Sequence, residues 1–496
     1  MNKFEIKEII SQNIFKLWKT GFFSVFISSI LSKVLTFFGG IILVRIMSKS
    51  EYGLYTYVLN SYGMLFILSD FGYCQAMMQY RSEFFYNQEK NNDYFTKAYR
   101  YGMLMSSISV AILWLSPQFY PYNQQEAGRL TQSLCLLPYI TTTNSFVSSN
   151  LRVQMQNKKY AAVNVMQTFV HYGMIVPMSY FWNVKGAVLA NYGIAIGTLL
   201  CSVAFSKGCL GFNWKSDILT RKEKKDLFLF AAASQLNSSV GALFNLIDIF
   251  IISLFVVNAE GISSYKVAST VPQALLFVPN SFAVYAVPFF ARHVNDKKWV
   301  ERNLKRLLWS AGMINAILTF TCCASAPVLI PLIYGEQYRD SVPCAMILLI
   351  AFFFSGSFQI PAANVIYTQH KVGINVAITI TTNIINCFLD IVLIGKYGFI
   401  GAALATLFVS IISGMSAMRY ITFWIKNKRT QQFFDDIQLL MEKFYYQKAG
   451  DGVLMCCNRI LLETGSLHRT KKYEVYKNRM CFCCIFAVCS FIYKFK

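Results

Sequence analysis

Apolar residues fall into blocks of membrane length, separated by short polar segments. About 18 or more consecutive, mostly uncharged apolar residues predict a spanning helix. Twelve blocks meet that description: 22–45, 54–80, 101–117, 130–150, 160–182, 186–205, 227–257, 264–290, 307–333, 343–367, 373–394 and 399–424. Helices satisfy their own backbone polar groups in lipid, so the expected fold is an all-α polytopic membrane protein.

Polar side chains return inside several blocks at helical spacing. The first carries Ser29, Ser32, Lys33, Thr36 and Gly40, and the seventh Gln235, Ser238, Asn245 and Asp248. The eighth carries Lys266, Ser269, Gln273 and Asn280, and the eleventh Asn375, Thr379, Thr382, Asn383, Asn386 and Asp390. Such stripes either glue helices together or line a cavity. Long stripes with charges in corresponding helices favour a central cavity, because intramembrane ionisable groups face a bundle interior or a water path.

The chain also repeats itself. "KGAVLANYGIAIGTLL" (185–200) is similar to "IGAALATLFVSIISGM" (400–415), with Gly-Ala-x-Leu-Ala recurring at an offset of 215. At that offset Asn164, Gln167, Thr168 and His171 meet Thr379, Thr382, Asn383 and Asn386, on one helix face. Two six-helix bundles are therefore expected, at 1–210 and 227–430, joined by a basic linker at 211–226 and followed by a Cys-rich tail at 431–496. An even helix number per half gives both halves one orientation, with a site at their interface.

The chain is 55% hydrophobic and 14% charged, with a mean hydropathy of +0.42. A net charge of +22 could suggest nucleic-acid binding. Its distribution argues otherwise, since 27 Lys and Arg lie in alternate polar segments against five in the others. That asymmetry is the positive-inside pattern and predicts a cytoplasmic N-terminus. No cleavable signal peptide is expected, because the first apolar run is too long and begins too late. The 14 Cys include no C-x-x-C pair and are read as small apolar residues or reduced thiols.

A lysine at mid-span costs roughly 2.5–3.5 kcal/mol on insertion scales, so Lys33 needs a purpose or a partner. Pairing with Asp248 across the halves is one reading. Arg45, Asp70 and Lys266 lie near span ends and either snorkel or serve the site. His171 is either a hydrogen-bonded core residue or a proton relay. Asp390 is placed at an outer span end and given little weight.

"LVRIMSKSEYGLYTYV", "NLIDIFIISLFVVNAEGISSYKVAS", "LIPLIYGEQYRDS" and "YGFIGAALATLFVS", taken in order, resemble the multidrug/oligosaccharidyl-lipid/polysaccharide exporter superfamily. Within it the chain looks most like the bacterial O-antigen and capsule repeat-unit flippases. The resemblance implies a V-shaped transporter of the bacterial inner membrane with alternating access. Its substrate would be an oligosaccharide on undecaprenyl diphosphate, moved from inner to outer leaflet, with polysaccharide polymerases as protein partners. On that reading Lys33 and Arg45, then Lys266 and Arg292, contact the diphosphate. Asp248, His171 and Asp70 serve ion coupling or charge balance, and Asn245, Gln273, Asn383 and Asn386 line the cavity. No nucleotide-binding Gly loop is present, and neither cofactor, metal nor enzymatic activity is expected. A cation-coupled drug exporter and a glycan polymerase or ligase are the rivals. The first calls for an acidic cavity, the second for a larger outer catalytic loop.

Overall fold

The computed structural model describes residues 22–426, apart from 123–124, 207–211, 213–216, 257, 294–295 and 370. The tail at 431–496 lies outside the described residues. Among those described, every regular element is helical. In order they are α1 (Phe22–Ile46), α2 (Lys49–Phe66), α3 (Tyr73–Glu83), α4 (Gln88–Phe119), α5 (Gln125–Ser133), α6 (Leu137–Val153), α7 (Asn157–Phe205), α8 (Arg221–Phe255), α9 (Ala259–Leu275), α10 (Phe277–Arg292), α11 (Lys297–Tyr334), α12 (Ser341–Phe354), α13 (Ile360–Thr368), α14 (Val372–Tyr397) and α15 (Phe399–Lys426). Eight helices are long and apolar enough to cross a membrane, or nine if one bent pair counts as a span. All twelve sequence blocks fall in helix, but several are interrupted.

The interruptions have local causes. Block 54–80 is split between α2 and α3, where Phe71 and Gly72 take positive φ (49° and 74°). Asp70 caps the restart, accepting from the Gly72 and Cys74 amides at 3.2 and 3.3 Å. Gly72 faces the Ala231 carbonyl so closely that a Cβ has no room. The 49-residue α7 is two arms, broken at Trp182 and Asn183, where φ/ψ leave the helical region. Gly186, Gly193 and Gly197 on one arm meet Met178, Met174 and Val170 on the other, so the arms run antiparallel. A π-turn at Ser355–Gln359 joins α12 to α13. Helix α8 bends by 49° between Leu243 and Leu246.

Helix starts follow capping chemistry. Ser48 with Glu51 opens α2, and Thr220 with Glu223 opens α8, each as a reciprocal capping box.

Alternation of helix direction gives the bundle two ends. We call the end with the 84–88, 154–156, 217–221 and 293–297 turns the basic end and the other the far end. At the far end one apolar core spans residues from both sequence halves, including Val44, Tyr57, Ile252, Ile262 and Cys344. At the basic end there are two cores. One holds Tyr73, Phe95, Phe146, Leu227 and Ala231, the other Phe290, Leu304, Val365 and Ile421. The far-end core thus joins the two halves, while at the basic end one core packs the start of α8 against first-half helices and the other holds second-half residues alone.

Candidate functional site

The seam between the halves carries the charged groups. Helix α9 buries most of its surface, but Lys266, Thr270, Gln273 and Phe277, the last just past its end, form one less buried stripe. Their spacing of four, three and four residues is a single helix face, spanning about 16 Å. Lys33 comes from α1 to the lower end of this stripe, its Nζ 4.5 Å from the Phe277 ring centroid. That is cation–π distance. Neither Lys33 nor Lys266 makes an ion pair among the described residues. Lys33 thus meets one end of the stripe that carries Lys266 and Gln273.

Arg45 sits elsewhere. About three turns beyond Lys33 on α1, it donates to the Ile333 carbonyl at 2.7 Å and to the Leu332 carbonyl. Those carbonyls belong to the last turn of α11, whose partial negative charge suits a guanidinium. Nearby, Lys49 pairs with Asp340 at 2.6 Å, and the Ser264 hydroxyl donates to the same carboxylate oxygen at 2.9 Å. Gly53 packs directly on the Ala259 carbonyl. One turn and two turns on, Thr56 is buried and Asn60 donates to the Leu246 carbonyl at 3.1 Å. Arg45 thus belongs to a set of contacts, here called the far-end lock, that join the two halves at the far end. Arg292 is exposed at the last turn of α10, toward the basic end.

Asp248 does not pair with Lys33. Its Oδ2 accepts from the Tyr265 hydroxyl at 2.6 Å and its Oδ1 from Asn386 Nδ2 at 3.0 Å. The same Asn386 nitrogen donates to Asp390 Oδ2 at 2.9 Å. Asp390 is fully buried and within hydrogen-bonding reach of Asp248, and among the described residues its Oδ1 has no N–H or hydroxyl donor. The Thr406 hydroxyl lies within hydrogen-bonding reach of Asp248. Two carboxyls thus share one amide donor, Asp390 fully buried and Asp248 partly so, and among the described residues no Lys or Arg forms an ion pair with either. The discounted position, Asp390, is the most buried member of the cluster. Its signal in the sequence was the i, i+4 spacing from Asn386 on the polar stripe; Tyr265 had none.

The other candidates divide. Asp70 is occupied as the α3 cap. His171 lies edge-on to Tyr172, their centroids 4.8 Å apart, and forms no ion pair among the described residues. Asn383 donates to the Thr379 carbonyl one turn back at 2.8 Å. The Asn245 side chain lies outside what is described. Repeat-related positions therefore have unequal surroundings, since Asn386 bridges two acids and its counterpart His171 bridges none.

The model of the polysaccharide biosynthesis protein family matches residues 42–343, about three fifths of the chain. The chain belongs to this family. Similarity extends to Agl15 of Haloferax volcanii, described as a probable low-salt glycan biosynthesis flippase. It is 18% identical over 414 residues, covering 82% of this chain and 83% of that one. Among solved structures, the lipid II flippase MurJ in its inward closed conformation matches with a TM-score of 0.64 at 16% identity, covering 80% of this chain and 87% of that one. An inward-facing multidrug resistance MATE transporter of the MOP superfamily matches with a TM-score of 0.67 at 12% identity, covering 79% and 94%. The family member described here thus has the all-α fold of the superfamily that its motifs resemble.

Proposed function

We propose that this protein flips an undecaprenyl-diphosphate-linked oligosaccharide from the inner to the outer leaflet of the bacterial cytoplasmic membrane. Its basic end, with the N-terminus, faces the cytoplasm. The observation that carries the reading is that Lys33, beside Phe277, and Lys266, further along the same seam stripe, form no ion pair among the described residues of a polysaccharide biosynthesis family member. A diphosphate brings about two negative charges, and moving it unpaired through hydrocarbon is prohibitive. Lys33 Nζ holds the diphosphate by charge-assisted hydrogen bonds, with Arg292 drawing it toward the mouth. Thr270 and Gln273 offer hydrogen bonds to sugars, while the lipid tail stays in the bilayer.

Asp248, Asn386, Asp390 and Thr406 form the coupling site. Two carboxyls, an amide oxygen and a hydroxyl are hard donors, suited to a proton or a small hard cation. A bound cation replaces the donor that Asp390 Oδ1 lacks and relieves the repulsion between the acids. Because Asp248 lies beyond the α8 bend, occupancy acts on the helix that joins the halves, and alternating access follows.

The test is a leaflet-resolved assay of lipid-linked oligosaccharide in cells carrying wild type, Lys33→Ala or Lys33→Arg at matched membrane levels. Accumulation on the cytoplasmic face with Ala, rescued by Arg, is the expected result. Equal export by all three would sink the assignment of Lys33. Asp248→Asn should abolish dependence on the ion gradient while leaving substrate binding.

The buried acid pair favours a second reading, cation-coupled multidrug export. It predicts that deleting the protein sensitises cells to cationic drugs and leaves the glycan distribution unchanged.

A further inference from the structure

The basic ends of α4 and α11 are built alike and finished differently. Asn87 caps α4 through the Lys90 amide, and Asp296 caps α11 through the Trp299 amide. Counted from these caps, Arg302 takes the place of Asp93 and Arg306 that of Lys97. On α4 this face is covered by the chain itself. Lys90 pairs with Glu223 at 2.9 Å and Lys97 with Asp217 at 2.9 Å, while Asp93 accepts the Ile218 and Leu219 amides at 2.9 and 3.0 Å. Over residues 297–310 of α11 the exposed residues are Lys298, Arg302, Lys305, Arg306 and Trp309, again a single face. Lys305 pairs with Glu301 at 2.8 Å. Among the described residues, Lys298, Arg302 and Arg306 have no ion pair or hydrogen bond with any side chain.

The depth of this face identifies its occupant. Helix α11 has 38 residues, about 57 Å of helix, against roughly 30 Å of hydrocarbon and 40–45 Å with headgroups. Its first turns therefore run through a headgroup layer. Trp309, 70% exposed, lies on the same face one turn nearer the hydrocarbon, where indole rings anchor at the interface. Cations in the headgroup layer with an aromatic anchor at its inner edge complement a lipid phosphate.

We propose that Lys298, Arg302 and Arg306, with Trp309, form a binding face for anionic phospholipid headgroups at the basic end. The lipid takes the place on α11 that Asp217 and Glu223 take on α4. Binding is read without any transport, so this proposal and the flippase reading fail independently.

The full chain would be reconstituted in vesicles of equal parts phosphatidylglycerol and phosphatidylcholine, and retained lipid measured by native mass spectrometry. Wild type should retain phosphatidylglycerol in preference to phosphatidylcholine. The triple variant Lys298→Gln/Arg302→Gln/Arg306→Gln should lose that preference at least tenfold, since each cation near an anionic surface contributes about fivefold at low salt. A control, Arg129→Gln/Lys185→Gln/Lys396→Gln, removes three exposed far-end cations and should retain it. The proposal is overturned if wild type shows no preference, or if the stripe variant keeps it. Equal loss in both variants would mean general charge attraction, which also overturns it. Displacement of the lipid by inorganic pyrophosphate would mark a soluble-anion site instead.

Discussion

The far-end lock can be tested by removing its ion pair. Lys49 and Asp340 approach to 2.6 Å, with side chains 14% and 45% exposed. At an effective dielectric near 20 the gross attraction is about 4 kcal/mol or more. Desolvation and the ordering of the lysine chain offset most of it, leaving about 1 kcal/mol for a pair this wet. Asp340 also accepts from Ser264 and stays hydrated, so removing the lysine leaves no buried orphan charge. Lys49→Met keeps the stem near the Tyr338 ring, over which the ammonium lies at 5.7 Å. The substitution should therefore move the closed-to-open equilibrium at the far end by about 1 kcal/mol, roughly fivefold. Thr56→Cys is a suitable reporter, because Thr56 is 7% exposed between Gly53 and Asn60 on the seam face of α2. Labelling by an impermeant maleimide, resolved by site, should rise about fivefold with Lys49→Met or Asp340→Asn, and no further in the double variant. Cys74, buried near the basic end, should label at its wild-type rate. Unchanged labelling at position 56 would refute the lock, and equal increases at both cysteines would show general loosening instead.

Asp93→Ala should cost about 2–3 kcal/mol, because it strands the Ile218 and Leu219 amides against a fully buried site; a lowered Tm in detergent would show it, with Asp93→Asn losing less. Hydrogen bonds from Lys224, then Lys97, hold the Asp217 carboxyl down to about 2. A depressed carboxyl stabilises above its ordinary value, near 3.9, and loses that contribution as pH falls through about 2. Wild type and Asp217→Asn should therefore differ in Tm at neutral pH and converge toward pH 2. Gly53→Leu should open the far end more than Lys49→Met does, since its side chain meets the Ala259 backbone, which cannot rotate away; labelling at Thr56→Cys reads this too.

The sequence by itself determined the fold class, the helical segments and their distribution of charge. These follow from one-dimensional quantities: the apolar length needed to cross hydrocarbon, and the penalty for cations on the wrong side. It also placed Asn386 and Asp390 on one stripe, because four residues apart on a helix is one face. What only the tertiary structure decided was which stripe meets which. Asp248 reaches Tyr265 and Asn386 rather than Lys33 because of the rotation and bend of α8, which no apolar count reports. Arg45 looked like a ligand for phosphate, yet it binds carbonyls nearly 300 residues away. The segment read as a basic linker includes Asp217 and Glu223, whose ion pairs fasten it to α4. Lipid-facing burial is set residue by residue along the chain. Polar pairing across a seam is set by how whole helices pack, and small residues such as Gly53 and Gly72 decide how closely they approach.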